Sequence, residues 1–208
     1  TRFSTVTGVQ TCALPIFLFQ DGENVISSDG LARACGVNPS QIRKDLAYFG
    51  EFGVRGVGYY VQDLLAAIKQ SLGIDRTWNA ALVGVGNLGR ALLRHGVFRR
   101  RGFILVGAFD CDPFKIGEEI AGLEVVCSRR LKERARELNI EIGIITTPPE
   151  RAQRAANYLV EAGIRGIVNF ASARIAVPDN ISVEYVDFMH HFFSVAFNIS
   201  LNQARNSI

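Results

Sequence analysis

The spacing of apolar residues along the chain changes near residue 77. Before that point, three short segments carry apolar residues at helical spacing, and their predicted inner faces are Leu31, Ala34 and Cys35; Ile42, Leu46 and Phe49; and Val61, Leu64, Leu65, Ile68 and Leu72. After it, short apolar runs alternate with amphipathic segments, as strands alternate with helices. The pattern predicts a small helical domain over residues 17–76 and an α/β domain over residues 77–186.

The first two helices of the small domain predict a helix-turn-helix. Ser27 or Ser28 can cap the first helix, Gly36-Val37 makes a turn, and Asn38-Pro39 supplies a capping side chain and a proline for the next helix start. This second helix runs from Ser40 to about Phe49. It exposes a polar and basic face made of Gln41, Arg43, Lys44 and Tyr48. Such a face on a helix-turn-helix reads the major groove of DNA.

A glycine-rich segment over residues 50–60 predicts a hairpin that follows the second helix. Its glycines allow a sharp turn with Arg55 and Gly56 near the tip, and an arginine there can enter a narrow minor groove. Over residues 17–75, however, five basic residues stand against seven acidic ones. DNA binding would therefore depend on the local placement of Arg43, Lys44 and Arg55. A small helical domain with a solvated basic face is the alternative that the residues leave open.

Beyond residue 77 the alternation predicts a mostly parallel sheet with helices on both faces. The predicted strands are 80–83, 103–109, 123–126, 140–147, 164–169 and 181–186. The predicted helices are 90–98, 129–138 and 150–162.

The most specific motif is Gly84-Val85-Gly86-Asn87-Leu88-Gly89, which lies between the first of these strands and a helix. Strand, glycine turn and helix N-terminus in this order bind pyrophosphate. The first glycine allows the turn, the second lets the backbone approach the phosphates, and the third lets helix and strand pack closely. The next strand leads into Asp110, where a carboxylate can hold a ribose 2′-hydroxyl. A plain strand–helix–strand unit with three glycines is the alternative.

Two later strand ends carry polar groups that should lie near this loop, because ligands of such sheets sit beyond the carboxyl ends of the strands. These groups are Thr146-Thr147-Pro148 and Asn169. Their hydroxyls, amide and fixed proline turn could contact phosphates or a nicotinamide. Ordinary strand-to-helix loop chemistry explains each of them equally well.

The last predicted helix, Asp187 to about Leu201, is apolar on several sides rather than along one stripe. A helix of this kind needs burial on several sides, which indicates a partner subunit. We interpret His190 and His191 on it as polar positions, because adjacent helical residues point about 100° apart and do not suit one metal ion.

Composition leaves the function open. The 208 residues are 48% hydrophobic and 21% charged, and the net charge of +3 is too small to indicate nucleic-acid binding by itself. No apolar run reaches the length of a membrane span, so we expect no membrane partner. The four scattered cysteines predict free thiols in a reducing, cytoplasmic compartment and no metal site. Residues 1–16 have no periodicity and read like a translated sequencing adapter, so we set them apart from the fold.

With these residues in place, the chain from about Phe17 to Ile199 resembles the Rex-type redox-sensing transcriptional repressors. The resemblance depends on four stretches besides the glycine loop: residues 40–53, 55–59, 109–117 and 186–188. It implies a homodimer with an N-terminal winged helix, a C-terminal Rossmann domain and a terminal helix (187–208) that swaps onto the partner. It implies a regulator rather than an enzyme, one that binds operator DNA and releases it when NADH replaces NAD⁺.

The resemblance also implies the roles of individual residues. Arg43 and Lys44 would meet the major groove and Arg55 the minor groove. The candidate DNA-binding set is Gln41, Arg43, Lys44, Tyr48, Arg55, Gly56 and Tyr59. The candidate NAD(H)-binding set is Gly84, Val85, Gly86, Asn87, Leu88, Gly89, Asp110, Asp112, Lys115, Thr146, Thr147, Pro148, Asn169, Asp187 and Phe188, the last two reaching the partner's nicotinamide pocket.

Two departures from the family pattern stand out. The family's first helix is mostly missing, since residues 1–16 stand in its place, and His95 lies where family members often have tyrosine. Two other classes of protein compete with a repressor: a small NAD-dependent oxidoreductase, and a CoA- or nucleotide-binding module of a ligase. Against an enzyme, no Ser/Tyr/Lys or His/Asp group has clear spacing for proton transfer.

Overall fold

A computed structural model of the chain describes residues 24–47, 50, 53–71, 73 and 75–206, with residues 97 and 204–206 described by their backbone alone. The predictions for residues 1–16, for Tyr48 and for the inner-face residues Phe49 and Leu72 lie outside these residues. The chain divides into two compact units between Arg76 and Thr77.

The first unit has the predicted helix-turn-helix followed by a hairpin. Its elements are β1 (Val25–Ile26), α1 (Ser28–Cys35), α2 (Pro39–Ala47), β2 (Gly53–Val54), β3 (Gly58–Tyr60) and α3 (Val61–Ser71). The three strands form an antiparallel sheet in the order β1-β3-β2. The strand β1 was not predicted from the sequence, because two residues are too few to show a period.

Capping residues set the bounds of the first two helices. Ser27 Oγ accepts a hydrogen bond from Gly30 N at 3.0 Å, and Gly36 ends α1 in the left-handed region with φ of 68°. Asn38 Oδ1 accepts from Gln41 N at 2.8 Å, which caps α2. Leu31, Ile42 and other apolar residues of all three helices then pack in one core. The predicted inner faces are confirmed at Leu31, Cys35, Ile42, Leu46 and the predicted residues of α3 from Val61 to Ile68, which are buried or partly buried. The prediction for Ala34 is wrong: Ala34 is exposed and Ala32 is buried instead, because residues 31, 32 and 35 share one side of α1.

The second unit carries a seven-stranded sheet and five α-helices. Its elements are β4 (Trp78–Val83), α4 (Asn87–Arg94), α5 (Val97–Arg100), β5 (Phe103–Asp110), β6 (Glu119–Ile120), β7 (Leu123–Cys127), α6 (Leu131–Glu137), β8 (Ile142–Ile145), α7 (Pro149–Glu161), β9 (Gly166–Asn169), β10 (Ser182–Tyr185) and α8 (Phe188–Asn206). A 3₁₀ turn, Ser128–Arg130, precedes α6. The predicted single helix over 90–98 is two helices, because the backbone at His95 turns to extended geometry.

The strand order is β10-β9-β8-β4-β5-β7-β6, and every pair is parallel except β6 with β7. Consecutive strands run outward from β4 through β5 to β7, and the chain then returns to place β8 on the other side of β4. Ligands of doubly wound sheets bind at such a switch point, outside the carboxyl ends of the strands. The predicted α/β fold is confirmed.

Both faces of this sheet are covered, and β4 shows how the sequence achieves it. Ala81 and Val83 pack in one core with residues of α6 and α7, while Ala80 and Leu82 pack in a second core with Leu93 of α4. Because side chains alternate along a strand, four consecutive small or apolar residues supply both faces.

Two glycines of the first unit's hairpin provide a matched test of its packing. Gly56 (φ 83°) lies in the turn closed by Val57 N and Val54 O, with open space around it, whereas a Cβ on Gly58 (φ 114°) would lie 2.4 Å from Ile26 O. We expect Gly56→Ala to cost about 1 kcal/mol and Gly58→Ala about 3 kcal/mol or more of unfolding free energy, since the second adds a clash to the backbone strain.

Hydrogen exchange of α1 and α2 amides measures this cost, with Trp78 fluorescence reporting that the second unit is unchanged. Equal destabilisation by the two substitutions would contradict the close approach of β1 and β3.

Candidate functional site

A cleft of about 880 Å³ opens at the carboxyl ends of β4, β5, β7 and β8. It therefore lies at the switch point that the strand order creates. Eight of the predicted cofactor residues line it: Gly84, Gly86, Asp110, Asp112, Lys115, Thr146, Thr147 and Pro148.

The three glycines of the loop occupy three different environments. Gly84 has φ of 105°, and a Cβ there would lie 2.7 Å from Thr147 N. A Cβ on Gly89 would lie 2.3 Å from Gly84 O, so α4 packs against the loop as closely as the backbone allows. Gly86, at the N-cap of α4, has no heavy atom within 4 Å of its Cβ position. The open side of Gly86 and the helix N-terminus form a cradle for an anion.

Asp110, the last residue of β5, fixes this loop with its carboxylate. Oδ2 accepts hydrogen bonds from Val85 N at 2.7 Å and Lys115 Nζ at 3.2 Å. Oδ1 accepts from the backbone N–H groups of Cys111 and Asp112 at 2.8 and 3.0 Å. The carboxylate therefore has four donors, as many as its lone pairs readily accommodate.

The same contacts decide the ionisation of Asp110, which is 6% exposed. Burial alone would raise its pKa, but the backbone N–H groups of Asp112 and Val85 and the ammonium of Lys115 outweigh burial, and the pKa lies below its ordinary value. Asp110 is thus a charged side chain at neutral pH.

Two threonines after β8 complete the floor of the cleft. Thr146 Oγ1 donates to Gly84 O at 2.6 Å and ties β8 to the glycine loop. Thr147 Oγ1 is buried and has no hydrogen-bond partner among the residues that the structure describes. A buried hydroxyl without a partner costs free energy, and a ligand in the cleft could supply that partner.

Sequence reasoning missed one wall of the cleft, which α7 provides. Arg151, Arg154 and Tyr158 lie on one face of α7, with the Arg154 guanidinium 5.7 Å from the centre of the Tyr158 ring. Arg151 Nη1 contacts Cys111 Sγ at 3.6 Å. The spacing i, i+3, i+7 in a helix that follows Thr147-Pro148 is the signal that could have identified this wall. The other missed lining residues are Val83, Cys111, Pro113, Phe114, Cys127, Ser128, Arg129 and Ala155.

Several predicted cofactor residues lie outside the cleft lining. Val85 is buried, and its N–H is already donated to Asp110. Asn87, Leu88 and Gly89 form the first turn of α4 beside the cleft. Asn169 does not face the cleft as expected, because its buried amide folds the loop after β9, accepting from Ala171 N and donating to Ala173 O, both at 2.9 Å.

Asp187 and Phe188 lie at the start of α8. Asp187 Oδ1 accepts from Met189 N at 2.9 Å, and the Phe188 ring lies 6.3 Å from that of Phe170. Residues 188–203 of α8 are exposed, and the large apolar ones among them are Phe188, Met189, Phe192, Phe193, Val195, Phe197, Ile199 and Leu201.

In the first unit, α2 presents Gln41, Arg43 and Lys44 to solvent. Gln41 Nε2 donates to Asp45 Oδ1 at 2.7 Å, and Arg43 Nη2 to Ser40 Oγ at 3.2 Å. These contacts hold both long side chains along the exposed face of the helix.

The hairpin places Arg55 and Gly56 at an exposed tip, as predicted from the glycines. Tyr59, by contrast, is 7% exposed and packs in the core of the first unit, which leaves little of its side chain available for contact with DNA. Its neighbour Tyr60 is 46% exposed, since side chains alternate along β3. Without the strand register, the sequence could not tell the two tyrosines apart.

Two negative observations apply to the described part of the chain. No group of three or more His, Cys, Asp or Glu side chains there is arranged to hold a metal ion. No helix within it has the length and apolar character needed to cross a membrane.

Family models match both units. Residues 17–47 match "Putative DNA-binding protein N-terminus", and residues 75–173 match "CoA binding domain". The redox-sensing transcriptional repressor Rex of Maridesulfovibrio salexigens is 75% identical over 183 residues, 88% of each chain. This chain belongs to the Rex family. The Rex of Solidesulfovibrio magneticus is 68% identical over 186 residues, covering 89% of this chain and 84% of that protein.

Solved structures of a Rex-family repressor, RSP, agree with this assignment. RSP in complex with β-NAD⁺ and operator DNA matches with a TM-score of 0.89 and 33% identity, covering 100% of this chain and 97% of that one. RSP in complex with β-NADH matches with a TM-score of 0.87 at 32% identity, over 99% of this chain and 98% of that one. The Rex relatives are named as transcriptional repressors, so the family is one of regulators rather than enzymes.

The hydrogen bonds of Asp110 predict a pH-dependent contribution to the stability of the second unit. Asp110→Asn should lower the unfolding free energy by about 1–3 kcal/mol at pH 7, because the variant loses a charged acceptor. A lowered pKa means that this contribution is complete above the ordinary pKa of about 4 and is lost as the pH falls through the folded-state pKa.

Denaturant unfolding followed by Trp78 fluorescence at pH 7 and at acidic pH measures the difference, with Asp179→Asn at an exposed site as the control. A difference between wild type and Asp110→Asn that stays constant into the acid range would contradict the assignment.

Proposed function

We propose that this chain is a transcriptional repressor that binds operator DNA as a homodimer and releases it when NADH occupies the cleft. Residues 17–76 are assigned to DNA binding, 77–186 to NAD(H) binding and 187–208 to dimerisation. The proposal depends mainly on the 75% identity to a Rex repressor over 88% of the chain. The cleft at the switch point, lined by Gly84, Gly86 and Asp110, agrees with it. A protein with these ligands works in the cytoplasm.

The cleft fits a dinucleotide at three points. The open side of Gly86 and the N-terminus of α4 suit the pyrophosphate. The Asp110 carboxylate suits the adenine ribose, whose hydroxyl would replace the longest of the four contacts, that from Lys115 at 3.2 Å. The unpartnered hydroxyl of Thr147 suits a polar atom of the ligand.

Asp110 also favours NAD(H) over NADP(H). Its ionised carboxylate can accept a hydrogen bond from a ribose 2′-hydroxyl but repels a 2′-phosphate. Asp112, which Lys115 holds nearby at 3.7 Å, adds a second carboxylate to the same corner of the cleft.

For DNA, α2 supplies Gln41, Arg43 and Lys44 to the major groove, and the hairpin supplies Arg55 to the minor groove. The side chain of Gln41 keeps hydrogen-bonding atoms beyond its contact with Asp45. Because the basic residues are few, two copies bound to neighbouring half-sites would give the affinity that one unit lacks.

The homodimer proposal depends on α8. Its exposed apolar residues lie on several sides of the helix, and a soluble monomer rarely exposes so large an apolar surface. Its four phenylalanines would contribute about 2 kcal/mol each on burial, which is comparable with the cost of bringing two chains together. A second copy is the partner that the family resemblance implies.

The position of α8 suggests how the cleft acts on the dimer. The helix begins directly after β10, and Phe188 at its start lies beside Phe170 at the end of β9. All parallel strands end at one edge of the sheet, which is also the edge of the cleft. A ligand that fills the cleft would thus lie at the same edge of the sheet as the first residues of α8, the proposed dimer helix.

Titration of NADH at fixed NAD⁺, with fluorescent operator DNA bound to the full chain, tests the function. We expect the DNA to remain bound in NAD⁺ alone and to be released as NADH rises. DNA binding that is indifferent to NADH, or turnover of NADH with small carbonyl compounds, would contradict the proposal. In a second arm, a chain that ends at Val186 should be monomeric in sedimentation and should lose the response to NADH.

Substitutions test the DNA contacts. Arg43→Ala should cost about 1–3 kcal/mol of operator affinity and relax the preference for one base pair, since arginine reads a base edge. Arg55→Ala should weaken binding most at sites with A·T-rich flanks. Binding to a set of single-base operator variants measures both effects, with Lys69→Ala on α3 as the control. A uniform loss across all sequences in both arginine variants would show that neither side chain reads sequence.

A further inference from the structure

Phe114 is 91% exposed, the largest exposed fraction among the large hydrophobic side chains that the structure describes. It lines the cleft from the turn that follows β5. An aromatic ring left in water at the wall of a binding cleft loses the favourable free energy that burial would give. A ligand in the cleft that covers the Phe114 ring would gain this free energy.

The turn that carries Phe114 is held firmly. Asp112 Oδ1 accepts from Phe114 N at 3.0 Å, and Asp112 O accepts from Lys115 N at 3.1 Å and Ile116 N at 3.3 Å. Gly117 N donates to Val125 O at 2.9 Å, which ties the end of the turn to β7. The backbone of the turn is thus fixed at Phe114 without a ligand.

The strand order indicates which part of a dinucleotide reaches this ring. The glycine loop follows β4, Asp110 ends β5, and β7 lies beyond β5. With the pyrophosphate at the loop and the ribose at Asp110, the next group outward is the base, over Cys127 and Ser128 at the end of β7. Arg154 and Tyr158 of α7 line the same cleft, with Arg154 Nε donating to the Tyr158 hydroxyl at 3.2 Å.

We propose that Phe114 stacks on the adenine ring of the bound dinucleotide. This contact would determine how strongly the adenine half contributes to the affinity. The inference rests on the proposed function and names a contact that determines specificity within it. A protein partner suits the position less well, since the other exposed large hydrophobic residue of the turn, Ile116, is only 39% exposed and does not line the cleft.

Calorimetry of the full chain with two ligands tests the contact: NADH, and reduced nicotinamide mononucleotide, which lacks the adenosine half. Phe114→Ala should weaken NADH binding about tenfold, within the range that stacking of a base on an aromatic ring gives. Phe114→Trp should retain the affinity, and Phe114→Leu should fall between them. The affinity for the mononucleotide should be the same in all variants. Ile116→Ala on the same turn is the matched control.

Fluorescence of Phe114→Trp gives a second readout with AMP as the probe. AMP should quench the new tryptophan, whereas the wild type, whose one tryptophan is Trp78, should show no comparable change. Unchanged NADH affinity in Phe114→Ala, an equal loss in Ile116→Ala, or a parallel loss for the mononucleotide would each overturn the stacking contact while leaving the proposed function in place. A wild-type chain that binds neither NADH nor AMP would overturn both.

Discussion

The hydrogen bond from Val85 N–H to the Asp110 carboxylate is the constraint on which the cleft depends. It joins the glycine loop after β4 to the tip of β5, and together with the Asp112 N–H and the Lys115 ammonium it holds the pKa of the carboxyl below its ordinary value despite burial. The loop is held on its other side by the close approach of Gly84 to Thr147. Because both strand tips are fixed, the open side of Gly86 faces the cleft in one position, which is what recognition of a pyrophosphate requires.

The same edge of the sheet carries the groups that would connect a ligand in the cleft with α8. The Thr146 hydroxyl connects β8 to the glycine loop, and Asn169 folds the turn after β9, where Phe170 meets Phe188 at the root of α8. These contacts form a continuous series of strand ends from the cleft to the proposed dimer helix.

Local patterns predicted the parts of the structure that depend on neighbouring residues. The caps at Ser27 and Asn38, the glycine loop and the position of Asp110 at a strand end all follow from short-range spacing, and the structure has them. The choice between Tyr59 and Tyr60 depends on strand register, which a three-residue strand does not reveal. The helical spacing of Arg154 and Tyr158 is a local signal, but their place in the cleft wall depends on the order of strands in the sheet. The exposure of Phe114 depends on how its turn packs. Such non-local facts required the structure.

Hydrogen exchange of the full chain with and without NADH tests whether this cleft is the NAD(H) site. We expect NADH to slow exchange in the peptides that contain residues 83–90, 110–117 and 146–149, because these segments meet at the cleft. Exchange in α3, which belongs to the first unit, should not show this direct protection. Protection confined to other segments, with the glycine loop and the turn after β5 exchanging as before, would contradict the assignment of the cleft to NAD(H).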